Sequence, residues 1–188
     1  MEENFKNSLS KILRYEGGFS NHPLDKGGPT NLGITLSTLK TFYHEYGYGD
    51  FNEDGDVNID DIELLDSEKV EPIYKKYYWD KLNLDNFPGG VDFLMFDFSV
   101  NSGPKNAAKI LQRAINRQDL NLVVDGLLGP NTMSTINQID KNQLIANMIQ
   151  ERELFYRKLV SINPSQNIFL KGWLNRLNNV SEEVGEFV

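Results

Sequence analysis

Two carboxylates stand in a segment whose composition suits the cleavage of a sugar linkage. Glu16 follows an amphipathic helical stretch from Asn4 to Tyr15, and Asp25 comes nine residues later in a run rich in Gly, Pro and Asn. A pair of carboxyl groups can cleave a glycosidic bond, because one protonates the leaving oxygen and the other activates water or stabilises positive charge. Taken singly, a Glu near a helix end is more often a solvated surface charge. A Gly-Gly pair after a helix, as at Gly17-Gly18, is more often only the end of that helix.

The wider segment carries a resemblance that joins these residues. Its pattern is Glu16-Gly17-Gly18-Phe19, then Asp25, then Gly27-Gly28-Pro29-Thr30-Asn31 and Gly33-Ile34-Thr35. This pattern resembles glycoside hydrolase family 108, the muramidases that include many phage endolysins. The resemblance implies that Glu16 is the catalytic acid. The order Glu, Asp, Thr is also similar to the triad of phage lysozymes, which implies roles for Asp25 and Thr30, with Thr35 as the competing threonine.

The second half of the chain resembles the predicted peptidoglycan domain that usually follows such a catalytic segment. The resemblance is carried by Asn101-x-Gly103, by a helix with Leu111-Gln112-Arg113-Ala114, and by Val124-Asp125-Gly126-x-x-Gly129-Pro130-x-Thr132. The last element is also what a turn followed by a helix start would contain. We therefore expect a catalytic segment over residues 1–87 and a helical half over residues 88–188, packed into one lysozyme-like domain.

Asp97 and Asn101 lie one helical turn apart and share a face of their predicted helix. They are candidates for binding substrate in a sugar cleft. Equally, they are polar residues that could cap or bridge elements within the core, and the sequence leaves both interpretations open.

An acidic segment, residues 50–61, departs from the family pattern and has the spacing of an EF-hand calcium loop. Calcium prefers oxygen ligands from loop positions 1, 3, 5, 7, 9 and 12, and position 6 is a glycine that allows a sharp turn. Gly55 occupies position 6. The segment predicts one bound Ca²⁺; an acidic turn without metal is the alternative. The predicted ligands are Asp50, Asn52, Asp54, the Asp56 carbonyl, Asn58 and Asp61, an arrangement similar to the loops of dockerin modules.

The remaining sequence is mainly helical by its apolar periodicity. Residues 17–35 contain too much Gly, Pro and Asn for a helix and predict a small β-hairpin or flap beside the active site. The expected fold is therefore mainly α and lysozyme-like, with one small β-hairpin. Apolar helical faces are expected in stretches beginning near Phe5, Leu36, Ser67, Val91, Ala107, Pro130, Lys141 and Phe169.

Composition limits the classes of partner. The net charge of −8 argues against nucleic acid, whose phosphates require basic surfaces. The chain contains no cysteine, which excludes disulfides and thiolate metal sites. Its start lacks the pattern of a signal peptide, and no apolar stretch has the roughly 20 residues of a membrane span. We expect a monomer made in the host cytoplasm, and the resemblance implies a holin-type membrane lesion as the route to the wall.

These observations predict a muramidase that acts on bacterial peptidoglycan with one bound calcium, in the manner of a phage endolysin. Two alternatives remain at this level. A lytic transglycosylase uses a single Glu and lets a sugar hydroxyl attack, and the presence of Asp25 argues against it. A calcium-dependent wall-binding module without catalysis would make Glu16 dispensable.

Overall fold

A computed structural model gives the structure of the protein and describes residues 2–21 and 28–187. The chain forms two compact units. The smaller unit comprises Lys6–Tyr77, and the larger comprises Tyr78–Val188 together with Met1–Phe5. This boundary lies between Tyr77 and Tyr78, whereas the sequence places its division between residues 87 and 88.

The smaller unit contains short helices around a two-stranded hairpin. Helix α1 ends at Leu13, and the polypeptide continues in a turn in which the Tyr15 N–H donates to the Ile12 carbonyl at 2.9 Å. Helix α4 continues directly into a π-helical turn, Lys75–Trp79. The elements are α1 (Glu2–Leu13), whose residues up to Phe5 belong to the larger unit, β1 (Thr30–Asn31), β2 (Ile34–Thr35), α2 (Leu36–Tyr46), α3 (Ile59–Glu63) and α4 (Ser67–Tyr74).

The hairpin is built on a turn of two residues. Strands β1 and β2 are antiparallel, with Thr30 opposite Thr35 and Asn31 opposite Ile34. Leu32 and Gly33 between them both have positive φ, at 48° and 75°. Two positive φ angles at the centre of a two-residue loop define a type I′ turn, whose twist matches that of the paired strands. A hairpin is thus found within the segment where the sequence predicts one.

The larger unit is a helical assembly around one very apolar helix. Helix α5 is buried along nearly its whole length, from Val91 to Ser99. Phe5 packs against Trp79 and Phe96 with ring centroids 5.3 and 5.6 Å apart. Its helices are α5 (Val91–Ser102), α6 (Pro104–Asn116), α7 (Pro130–Ile136), α8 (Lys141–Ile162) and α9 (Asn167–Glu183).

The predicted fold class is confirmed: the structure is mainly α, with one small antiparallel hairpin. Two local differences have simple causes. Helix α1 is two residues shorter at its end than the apolar pattern indicates, because the last turn tightens before Glu16. The short helix α3 begins within the acidic segment, where Asn58 caps its N-terminus. Within the part of the chain that the structure describes, no helix is long and apolar enough to cross a membrane.

Candidate active site

Glu16 lies beside the hairpin turn in the smaller unit. It is half-buried and follows α1 in a bend of the chain. The next residue, Gly17, accepts a hydrogen bond through its carbonyl from the Leu32 N–H at 2.9 Å. The polypeptide after α1 is thereby tied to the tip of the hairpin. A carboxyl group in this place is sheltered by protein on one side and reachable from the other.

The hairpin itself is fixed from two sides. Ser20 and Thr30 form an isolated bridge in which each N–H donates to the other's carbonyl, at 2.8 and 2.9 Å. The buried Asn31 side chain donates through Nδ2 to the carbonyls of Ile62 and Leu65, at 2.9 and 3.3 Å. Buried polar groups need such partners, and here they hold the turn in one place. These hydrogen bonds therefore hold the hairpin in a fixed position beside Glu16.

The two candidate threonines differ in what their hydroxyls already do. Thr35 caps α2: its Oγ1 accepts from the Thr38 N–H at 3.1 Å and lies 2.9 Å from the Thr38 hydroxyl. Thr30 stands opposite it on the hairpin. Among the described residues, the Thr30 hydroxyl makes no hydrogen bond, and the residue is half-buried. The cap favours Thr30 over Thr35 as the residue available to hold a water.

The predicted second carboxylate, Asp25, lies outside the described residues. The role of Asp25 stays a prediction from the sequence.

Asp97 is the centre of a buried ion-pair network in the larger unit. It has no exposed surface. Arg152 Nη1 lies 2.5 Å from Asp97 Oδ2, and Arg176 approaches Asp97 Oδ1 at 2.8 Å through Nη2 and at 2.9 Å through Nε. A carboxylate enclosed in this way offers no atom to a sugar. The burial favours the bridging interpretation that the sequence left open, and it argues against Asp97 as a substrate ligand.

Asn101, one turn further along α5, is half-buried and joins the same network at its edge. Its Oδ1 accepts from the Tyr156 hydroxyl at 2.7 Å and from the Ser102 hydroxyl at 3.0 Å. Tyr156 in turn accepts from Arg152 Nε at 2.8 Å, and burial raises the pKa of the Tyr156 phenol. The amide oxygen of Asn101 is thus committed within the protein. Contact of its Nδ2 with substrate stays a prediction.

The acidic loop is folded around its own backbone. Asp50 accepts from the N–H groups of Asp54 and Gly55 at 3.1 and 2.9 Å, and Gly55 has a φ of 92°. Asp54 Oδ2 lies 3.0 Å from Asn52 Nδ2 and 3.4 Å from Asn58 Nδ2. Side chains from loop positions 3, 5 and 9 therefore converge. Hydrogen bonds from the Asp56 N–H and the Asn52 amide hold the pKa of Asp54 below its ordinary value.

Position 12 of the loop plays a structural part. Asp61 is fully buried, and its two oxygens accept from the N–H groups of Phe51 and Asn58 at 2.7 and 2.9 Å, which ties both ends of the loop together. Asp56 is exposed. Within residues 2–21 and 28–187, no group of three or more His, Cys, Asp or Glu side chains is arranged to hold a metal ion.

Sequence reasoning missed three residues that the structure brings to these places. Arg152 follows Met148 and precedes Tyr156 at intervals of four on α8, so an arginine in an apolar stripe was a signal for a buried partner. Arg176 and Tyr74 gave no such signal. Tyr74 counts as one more apolar-face residue in the sequence, yet its hydroxyl donates to the Leu32 carbonyl at 2.9 Å.

Comparisons with known proteins show which families and which solved structure the chain is similar to. The family model described as Glycosyl hydrolase 108 matches residues 9–103, and the model described as Predicted Peptidoglycan domain matches residues 106–178. Among solved structures, the chain is similar to the structure of Brucella abortus SagA, with 28% identity and a TM-score of 0.77. That match covers 100% of this chain and 97% of the other. A comparison with curated proteins found no match.

Proposed function

Because the chain belongs to the glycosyl hydrolase 108 family, and is thereby a peptidoglycan hydrolase of the muramidase type, we propose that it hydrolyses the β-1,4 bond between N-acetylmuramic acid and N-acetylglucosamine. The observation that carries the proposal is the place of Glu16. It is half-buried after α1, and its neighbour Gly17 is hydrogen-bonded to a hairpin tip that is anchored on both sides. A proton donor to a leaving oxygen needs this combination of shelter and access.

In the proposed mechanism, Glu16 donates its proton to the glycosidic oxygen as the bond breaks. Asp25 holds the attacking water or stabilises the positive charge that develops on the sugar. Thr30 orients that water through its hydroxyl, since the hydroxyl of Thr35 is engaged as a helix cap. Asn101 remains a candidate substrate ligand in the larger unit.

We also propose a biological role and a bound metal. The resemblance to phage muramidases supports a monomeric endolysin that reaches the wall through a holin-type lesion. For the metal, the support is the loop of residues 50–61. Its predicted ligands include the amides of Asn52 and Asn58 and the Asp56 carbonyl as well as carboxylates, so it is a site of hard oxygen donors suited to Ca²⁺ rather than a cluster of acids alone.

The test is a digest of purified peptidoglycan by the wild type and by Glu16→Gln, with the products identified by mass. The wild type is expected to release fragments that end in reducing N-acetylmuramic acid. Glu16→Gln should lower the rate about 10²–10⁴-fold, because the amide cannot donate the proton. Anhydro products would point instead to a lytic transglycosylase. If Glu16→Gln digests peptidoglycan at the wild-type rate, Glu16 is not the catalytic acid and the proposal is wrong.

A further inference from the structure

We propose that Tyr74, acting with the Leu32-Gly33 turn, is a positioning residue for the Glu16 carboxyl. The proposal rests on the proposed function, in which Glu16 is the acid. It concerns a residue far away in sequence, at the end of α4, that carries no chemistry of its own in the mechanism above.

The first observation is the crowding at Gly33. A Cβ on this residue would lie 2.5 Å from the Tyr74 hydroxyl oxygen, 2.9 Å from Glu16 Oε2 and 3.3 Å from Glu16 Cγ. The Tyr74 hydroxyl and the Glu16 carboxyl therefore both lie against Gly33 on the same side of the turn. Only glycine fits there, both for this reason and because its φ of 75° is strained for other residues. The Tyr74 hydroxyl and the Glu16 carboxyl occupy the space that a side chain at position 33 would need.

The second observation is a pair of hydrogen bonds that links Tyr74, through Leu32, to the backbone next to the acid. The Leu32 carbonyl accepts from the Tyr74 hydroxyl at 2.9 Å. The Leu32 N–H donates to the carbonyl of Gly17, the residue that follows Glu16, also at 2.9 Å. One residue of the turn thus joins the backbone beside the acid to the phenol that stands next to the acid's side chain. A shift of the turn moves the carboxyl with it.

The third observation is that Tyr74 itself cannot move easily. The residue is 1% exposed, so its ring is locked by packing. It is the last residue of α4 before the π-helical turn Lys75–Trp79. A π-helical turn changes the direction in which side chains leave a helix and is frequent at functional sites. Because Tyr74 is buried, it acts through the turn and the carboxyl rather than by touching the glycan.

The test compares Tyr74→Phe with Tyr77→Phe. Both variants lose one hydroxyl, but the Tyr77 hydroxyl donates to the exposed carboxylate of Glu45 in α2, at 3.0 Å, rather than to the turn. The measurement is kcat and KM for release of reducing ends from soluble glycan strands, per folded molecule and well below the melting temperature. Tyr74→Phe should lower kcat about 10- to 100-fold with KM within about twofold, since a small misplacement of a catalytic group is costly. Tyr77→Phe should match the wild type.

A second variant serves if Tyr74→Phe fails to fold. Gly33→Ala forces the carboxyl and the phenol apart and should likewise lower kcat more than it raises KM. The proposal is overturned if a folded Tyr74→Phe, or a folded Gly33→Ala, keeps the wild-type kcat while Glu16→Gln is inactive. It is also overturned if the unfolded fraction of a variant accounts for all of its loss of activity. An active Glu16→Gln would instead remove the proposed function itself, so the two failures are distinguishable.

Discussion

The surroundings of Glu16 and of Asp97 show two uses of a carboxylate in the same chain. Glu16 is half-buried against a glycine turn in the smaller unit, while Asp97 is fully buried between two arginines in the larger. Both were candidate site residues by sequence, Glu16 as the acid of the family pattern and Asp97 as a polar residue that shares a helix face with Asn101. What separates them is access. A carboxyl that is to give up a proton to a substrate must remain reachable, whereas one that neutralises buried guanidinium groups must not.

The largest effect that tests this difference is expected from Asp97→Asn. The substitution leaves Arg152 and Arg176 buried without their counter-charge, and breaking such a pair costs about 3–5 kcal/mol of stability. Activity per folded molecule should stay near the wild type, the reverse of Glu16→Gln. Denaturant unfolding followed by tryptophan fluorescence suits the measurement, because both tryptophans, Trp79 and Trp173, belong to the larger unit.

The matched control for that experiment is Asp119→Asn, which removes the same charge from an exposed position in the same unit. Its effect should stay within about 0.5 kcal/mol, as for most surface substitutions. If Asp97→Asn changed the free energy of unfolding as little as Asp119→Asn but abolished binding to peptidoglycan, Asp97 would be a substrate-binding residue. It would then act at the functional site, as Glu16 is proposed to do, and not as a buried counter-charge.

Calcium extends the comparison to carboxylates of the smaller unit. If the loop of residues 50–61 binds Ca²⁺, a hundredfold excess of the ion over Kd stabilises the fold by about 2.7 kcal/mol. Chelation should then lower the melting temperature by about 5–10 °C, measured by circular dichroism. Asp54→Ala should abolish this dependence. Glu53→Ala, which removes a charge from a neighbouring loop position that supplies no ligand, should preserve it. Identical melting in calcium and chelator, with no heat of binding, would identify an acidic turn.

The smallest effects are expected at the two threonines, and they should fall on different properties. Thr30→Val should lower kcat about tenfold with little change in stability, because its hydroxyl is proposed to orient water. Thr35→Val should cost about 1 kcal/mol of stability, since it removes the cap of α2, and should leave kcat nearly unchanged. Parallel kinetic and melting measurements separate the two. If instead Thr35→Val lowers kcat and Thr30→Val does not, the water-binding role belongs to Thr35.

Much of the fold was accessible from the sequence because its signals are local. The apolar periodicity predicts a helix that begins near Lys141, where α8 begins, and Pro130 marks the start of α7. The hairpin also follows from composition, since a turn such as Leu32-Gly33 needs a residue that accepts positive φ.

The environment of the site was less accessible, because it depends on contacts between distant residues. Nothing near Tyr74 in the sequence indicates that its hydroxyl meets Leu32, and nothing near Asp97 indicates a guanidinium from Arg176. Spacing predicted that Asp97 and Asn101 share a helix face, but it could not tell whether that face meets solvent or protein. The structure resolves this through burial, which no short pattern encodes.

Helix α5 has a consequence for handling and refolding the enzyme. Because its apolar residues lie on all sides of the helix and are buried, its few polar residues, among them Asp97, cannot shield them when the larger unit opens. Phe93, Leu94, Phe96 and Phe98 would then meet water together, and exposed apolar segments of this kind associate between molecules. Recovery from denaturant should therefore depend on protein concentration, with dilute conditions giving soluble enzyme and concentrated ones giving aggregate.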